Sequence, residues 1–127
     1  MERHEMVFVY VAVGGALVAL GRYTISLIPT KTEFPILTLL TNLIGAVLIG
    51  FIVGFIGDRD VTSKNKLLFW KTGVCGGFTT FSTFSLEAVN LLERKSYFSG
   101  GCYIVLSILG CIMGVYCGEK IATLLQR

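Results

Sequence analysis

The chain has 127 residues, 54% of them hydrophobic and 15% charged, with a mean hydropathy of +0.75. Soluble domains average about 25% charged residues, so this chain lacks the charge to cover a soluble core. Its length fits a single domain, 1–127, and its net charge of +3 sits on a chain too apolar to indicate a nucleic-acid partner.

The opening MERHE lacks the basic region of a signal peptide, and no small-residue cleavage site follows it. Residues 6–21 carry no charge, and their apolar pattern continues past Arg22 to residue 28. Residues 34–57 and 97–118 are also free of charge. Each run approaches the roughly 20 apolar residues that cross a bilayer. A weaker run lies at 67–92, with Lys71 and Glu87 near its ends. The expected architecture is therefore an all-α, multi-pass protein of the cell membrane, in contact with lipid. Its four transmembrane helices are expected at 6–28, 34–57, 67–92 and 97–119. Pro29 and Pro35 bracket the first link, where helices stop or start.

Four spans place both termini on one side. That side holds Arg3, Arg59, Lys64, Lys66, Lys120 and Arg127, with Lys71 nearby. The other holds Lys31, Arg94 and Lys95, with Arg22 nearby. Basic loops face the cytoplasm, so the bias points the termini inward. The bias is small, which leaves insertion in both orientations open. Gly50 and Gly54, and Gly110, Gly114 and Gly118, have small-xxx-small spacing that lets helices approach closely in lipid. The spacing serves packing within one chain or a subunit interface equally well.

The third run is unusual. The 15 residues between Lys71 and Glu87 would cover about 22 Å as one helix, short of the roughly 30 Å hydrocarbon core. Gly73, Gly76 and Gly77 weaken a continuous helix there. A break at 76–80 is expected, and its freed backbone groups need partners. Carbonyls at such breaks take cations. Beyond it the pattern has period three: Phe78, Phe81 and Phe84, then Thr79, Ser82 and Ser85, then Thr80 and Thr83. Residues three apart are neighbours on a helix surface. A phenyl ring is positive at its edge, so an anion can meet ring edges while hydroxyls donate to it. The alternative is simple packing, with hydroxyls bonded back to their own helix.

Thr38 and Asn42 share one face of the second span, and an amide at membrane depth is a functional candidate. Tyr103, Ser107 and Cys111 share a face of the fourth. Either set can also serve helix–helix hydrogen bonding. Arg22 either snorkels to the interface or stands in a vestibule that attracts anions. Glu87 is expected at an aqueous mouth or beside a basic partner. Cys75, Cys102, Cys111 and Cys117 form no CxxC pair and read as small buried hydrophobes. His4 is alone, and no catalytic carboxylate pair, nucleophile–base pair or metal-ligand cluster stands out, so the chain does not read as an enzyme.

At GGFTTFSTFS, 76–85, the sequence closely resembles the fluoride channel family known as Fluc or CrcB. TNLIGAVLIG, 41–50, is similar to that family's second-span motif, and GALVALGRY, 15–23, to its first-span segment with an arginine. The size and four-span layout match over nearly the whole chain. The resemblance implies an antiparallel, dual-topology homodimer with two fluoride pores and a structural sodium ion between subunits. By motif position, carbonyls of Gly76 and Thr79 would hold the sodium. Phe81 and Phe84 would supply ring edges, and Asn42 would donate to fluoride and orient a phenylalanine. Ser82, Thr83 and Thr38 would line or support a polar track that Tyr103 and Ser107 continue. Arg22 would be the vestibule arginine. Cys111 departs from the serine expected in many relatives, and a thiol is the weaker donor.

The residue chemistry suits the implied ion. Dehydrating fluoride needs close donors, and releasing it needs donors that do not hold too tightly. Hydroxyls, an amide and ring edges meet both conditions. One rival is a small multidrug-resistance-type transporter, which relies on a glutamate in its first span; residues 6–21 contain no acid. The other is a non-conducting membrane assembly subunit, in which the Phe and Ser/Thr rows serve only packing.

Overall fold

A computed structural model describes residues 3–56, 66, 68–75 and 78–126. Four α-helices form its frame: α1 (Arg3–Ser26), α2 (Ile36–Ile56), α3 (Phe81–Glu93) and α4 (Tyr97–Leu125). A π-helical segment, Leu68–Cys75, lies between α2 and α3. Three of the helices, α1, α2 and α4, are long and apolar enough to cross a membrane. The expected third span falls on the π segment and α3, and at 8 and 13 residues neither crosses alone.

The long helices form because lipid offers no partner for backbone N–H and C=O groups, so an apolar run satisfies them internally. α2 and α4 make the closest helix pair. Gly110 faces Leu43, Gly114 faces Ala46 and Val47, Gly118 faces Val47 and Phe51, and Gly54 faces Ala122. The pairs rise together in number, so the two helices run parallel. The small-residue spacing on α4 is thus spent on packing within the chain. A Cβ on Gly118 would stand 2.7 Å from the Phe51 nitrogen and 3.1 Å from the Val47 carbonyl carbon. Neither backbone can move aside alone. Gly118→Ala is expected to destabilise the protein by about 1–3 kcal/mol. Denaturant titration in detergent measures this, and an unchanged midpoint contradicts the close contact.

α1 approaches the π segment where Gly14 meets Gly73. Its outer face stays exposed, with Phe8, Leu17 and Leu20 each more than half accessible. Such a face suits lipid. The compact core lies elsewhere, where Leu39 of α2, Phe84, Ala88 and Leu91 of α3, and Tyr103 of α4 meet, with Phe34 packed beside them.

α3 runs antiparallel to α2: Thr80 pairs with Asn42, and Glu87 with Thr38. Its C-terminus closes through Lys95, whose φ of 63° turns the chain into α4 while Ser96 N–H bonds Leu91 O at 2.9 Å. Its N-terminus is the unusual end. Asn42 lies six residues into α2, about 9 Å from its start, so α3 begins at membrane depth. A helix start leaves backbone N–H groups unpaired, and at that depth they need protein partners.

Candidate functional site

Those partners come from two side chains. Thr80 is extended, at φ −150° and ψ 123°, and caps α3 by accepting from Thr83 N–H at 3.2 Å. Its hydroxyl donates to Thr83 Oγ1 at 3.2 Å and lies 3.3 Å from Ser82 Oγ. Asn42 then holds the peptide groups of Thr80 itself. Its Oδ1 accepts from Thr80 N–H at 2.9 Å, and its Nδ2 donates to Thr80 O at 3.2 Å. One turn along α2, Gly45 makes room for Thr79, whose methyl group occupies the place of a Cβ. Asn42 and Gly45 together fix the backbone immediately before Phe81.

Most of the candidate residues line one of two clefts. The larger, of about 360 Å³, is lined by Asn42, Thr79, Thr80, Phe81, Phe84, Ser107 and Cys111, with Ile and Ala side chains between them. Phe81 stands at its rim, 77% exposed, while Phe84 is 8% exposed. Their ring centroids are 5.5 Å apart and tilted by 49°. The stack continues inward, with Phe84 5.1 Å from Tyr103 and Tyr103 5.6 Å from Phe34 edge-on. Phe78 does not extend this row along the helix; Thr79 and Thr80 separate it from α3, and its ring lies near Gly45.

Ser107 is buried, and its hydroxyl has no hydrogen-bond partner among the described residues. The Tyr103 hydroxyl is fully buried and likewise unpartnered among them. Thr38 stands beside it but gives its own proton to Glu87 Oε1 at 2.6 Å. The Ser107 hydroxyl is therefore a buried donor without a partner among the described residues, and buried hydroxyls are otherwise paired.

The smaller cleft, of about 250 Å³, holds Arg22, Tyr23, Thr38, Thr41, Thr80 and Thr83. Arg22 is thus beside hydroxyls, on the far side of Thr80 from the phenylalanines. Ser82 lines neither cleft and is exposed. Ser85 bonds back to Phe81 O at 2.9 Å, a packing role. Gly76, with Gly77 beside it, lies outside the described residues. Glu87 lines a third hollow with Glu33, Asn90 and Arg94. Thr80 is the residue that sequence reasoning undervalued. It touches both clefts, and a hydroxyl just before an apolar helical run is a capping signal.

The family described as CrcB-like protein, Camphor Resistance (CrcB), matches residues 9–119. The chain belongs to the CrcB family. Its relatives include a protein of Ruminiclostridium cellulolyticum named fluoride-specific ion channel FluC, 44% identical over 90% of each chain. A FluC of Clostridium perfringens is 44% identical over 91% of this chain and 92% of its own. One of Flavobacterium psychrophilum is 38% identical over 89% of this chain and 94% of its own. This CrcB chain, with three helices among the described residues long and apolar enough to cross a membrane, is a multi-pass membrane protein. The CrcB match takes in both clefts, since Arg22, Asn42, Phe81 and Ser107 all lie within 9–119.

Proposed function

We propose that the protein is a fluoride-selective channel that lets fluoride leave the cytoplasm down its electrochemical gradient, without enzymatic chemistry. The observation that carries this is the larger cleft, where paired phenyl rings face an amide and an unspent buried serine hydroxyl. Relatives named fluoride-specific ion channels support the choice of ion. The site offers ring edges and neutral donors, and no carboxylate lines either of the two clefts. Arg22 draws anions toward the smaller cleft, and the start of α3 adds the partial positive charge of a helix N-terminus at depth.

The third span is read as a broken helix, formed by the π segment and α3. Parallel packing of α2 and α4 supports this, because the chain between them must recross the membrane. The functional unit is read as an antiparallel, dual-topology homodimer with two pores. In support, Phe81 is exposed at the rim of a cleft that a second copy can close, and the charge bias between the two sides is small. A structural sodium ion fits the donor class at the break. Thr79 and Thr80 are non-helical, and turn carbonyls are the hard oxygen ligands such a cation takes. The carbonyls of Thr79 and Gly76 would hold it and tie the two copies together.

Cells that lack their own fluoride exporter provide the test. Expression of the chain is expected to lower cytoplasmic fluoride and restore growth in fluoride medium. Equal accumulation with and without the membrane-inserted protein would contradict the proposal.

A further inference from the structure

Cys111 follows Ser107 by one turn of α4, and both line the larger cleft. Cys111 is a free thiol with intermediate exposure. Ser107 is 6% exposed, and its hydroxyl, lining the same cleft, has no partner among the described residues. Ala46, Ile108 and Ile112 add aliphatic wall to the same cleft, which Asn42, Thr80 and the two phenylalanines also line. Beside these side chains a small neutral reagent has no charge to desolvate, so it reaches the thiol more readily than a bulky ionic one.

We propose that Cys111 is a thiol-modification site in the wall of this cleft, at which a small sulfur-directed electrophile shuts the conduction path. The inference rests on reading the cleft as that path. Two effects combine. The added group takes up space beside Phe84 and Asn42. It also covers the Ser107 hydroxyl with apolar atoms, so a passing anion loses a donor where nothing replaces its water. A serine at this position has no such liability, because a hydroxyl does not undergo thiol–disulfide exchange.

Methyl methanethiosulfonate is a suitable probe, being small and neutral. The Cys111 thiolate attacks the reagent's sulfenyl sulfur and a new S–S bond forms. Methanesulfinate leaves with the bonding electron pair, and the thiol proton passes to water. Dithiothreitol reverses the step by exchange: it closes to its cyclic disulfide, frees the Cys111 thiol and releases methanethiol.

The experiment uses the full chain in liposomes with Cys75, Cys102 and Cys117 replaced by alanine, so that Cys111 is the remaining thiol. Each preparation is scored against its own untreated rate, and intact mass reports the modified fraction. Fluoride efflux is expected to fall about tenfold or more on modification and to recover with dithiothreitol. Cys111→Ala in the same background is expected not to respond. Complete modification with unchanged efflux overturns the proposal, as does folded protein that the reagent does not modify. No efflux before any reagent is added overturns the channel reading itself, and the timing tells that failure apart.

Discussion

Replacing Asn42 by alanine is expected to abolish fluoride efflux and to lower stability together. The amide satisfies both peptide groups of Thr80, at 2.9 and 3.2 Å. Alanine leaves that N–H and C=O without partners at membrane depth. A buried unpaired polar group costs about 1–3 kcal/mol, so the pair costs about 2–6 kcal/mol together. Phe81 is the next residue, and its ring direction depends on the Thr80 backbone. An efflux loss of about 100-fold follows from the lower half of that range. Asn42→Asp separates the two roles. It keeps the acceptor for Thr80 N–H, loses the donor, and adds a negative charge facing the anion. Its denaturation midpoint is expected above that of Asn42→Ala, with efflux equally absent. Denaturation in detergent and efflux from liposomes measure both quantities. Wild-type values for Asn42→Ala in both would refute the clamp.

The second large effect is a loss of transport with little loss of stability. Phe81 is 77% exposed and adds little to the core, whereas Phe84 is part of it. Phe81→Ile keeps an apolar side chain of similar reach and removes the ring edge. Stability is expected to change by no more than about 0.5 kcal/mol, as for other exposed positions. Efflux is expected to fall about tenfold or more, because an aliphatic group offers an anion no positive edge. Assembly, followed by size-exclusion chromatography, is expected to change less than efflux. Unchanged efflux in Phe81→Ile would remove the ring from the mechanism.

The long helices were legible because lipid leaves the backbone few choices. The charge-free runs near 6–21, 34–57 and 97–118 are α1, α2 and α4 in the structure. The period-three row also carried real information, since Phe81 and Phe84 are ring neighbours at 5.5 Å. Its first member, Phe78, does not follow, because periodicity persists in sequence where the backbone leaves the helix. The face shared by Thr38 and Asn42 was visible, but its partners were not. Those bonds span 49 and 38 residues, and local spacing holds no information about such separations. Glycine spacing likewise shows that two helices approach, but not which two. The division of the polar residues into two clefts depends on the placement of α3, which Asn42 and Gly45 set from a distant helix.

Fluoride efflux from liposomes containing the purified protein tests the account most directly. The vesicles are loaded with fluoride or chloride, and efflux is started by dissipating the membrane potential with a potassium carrier. An ion-selective electrode records each anion. The account predicts rapid passive fluoride release and no chloride release above that of protein-free vesicles. Equal rates for the two anions, or no fluoride release from folded protein, would contradict it.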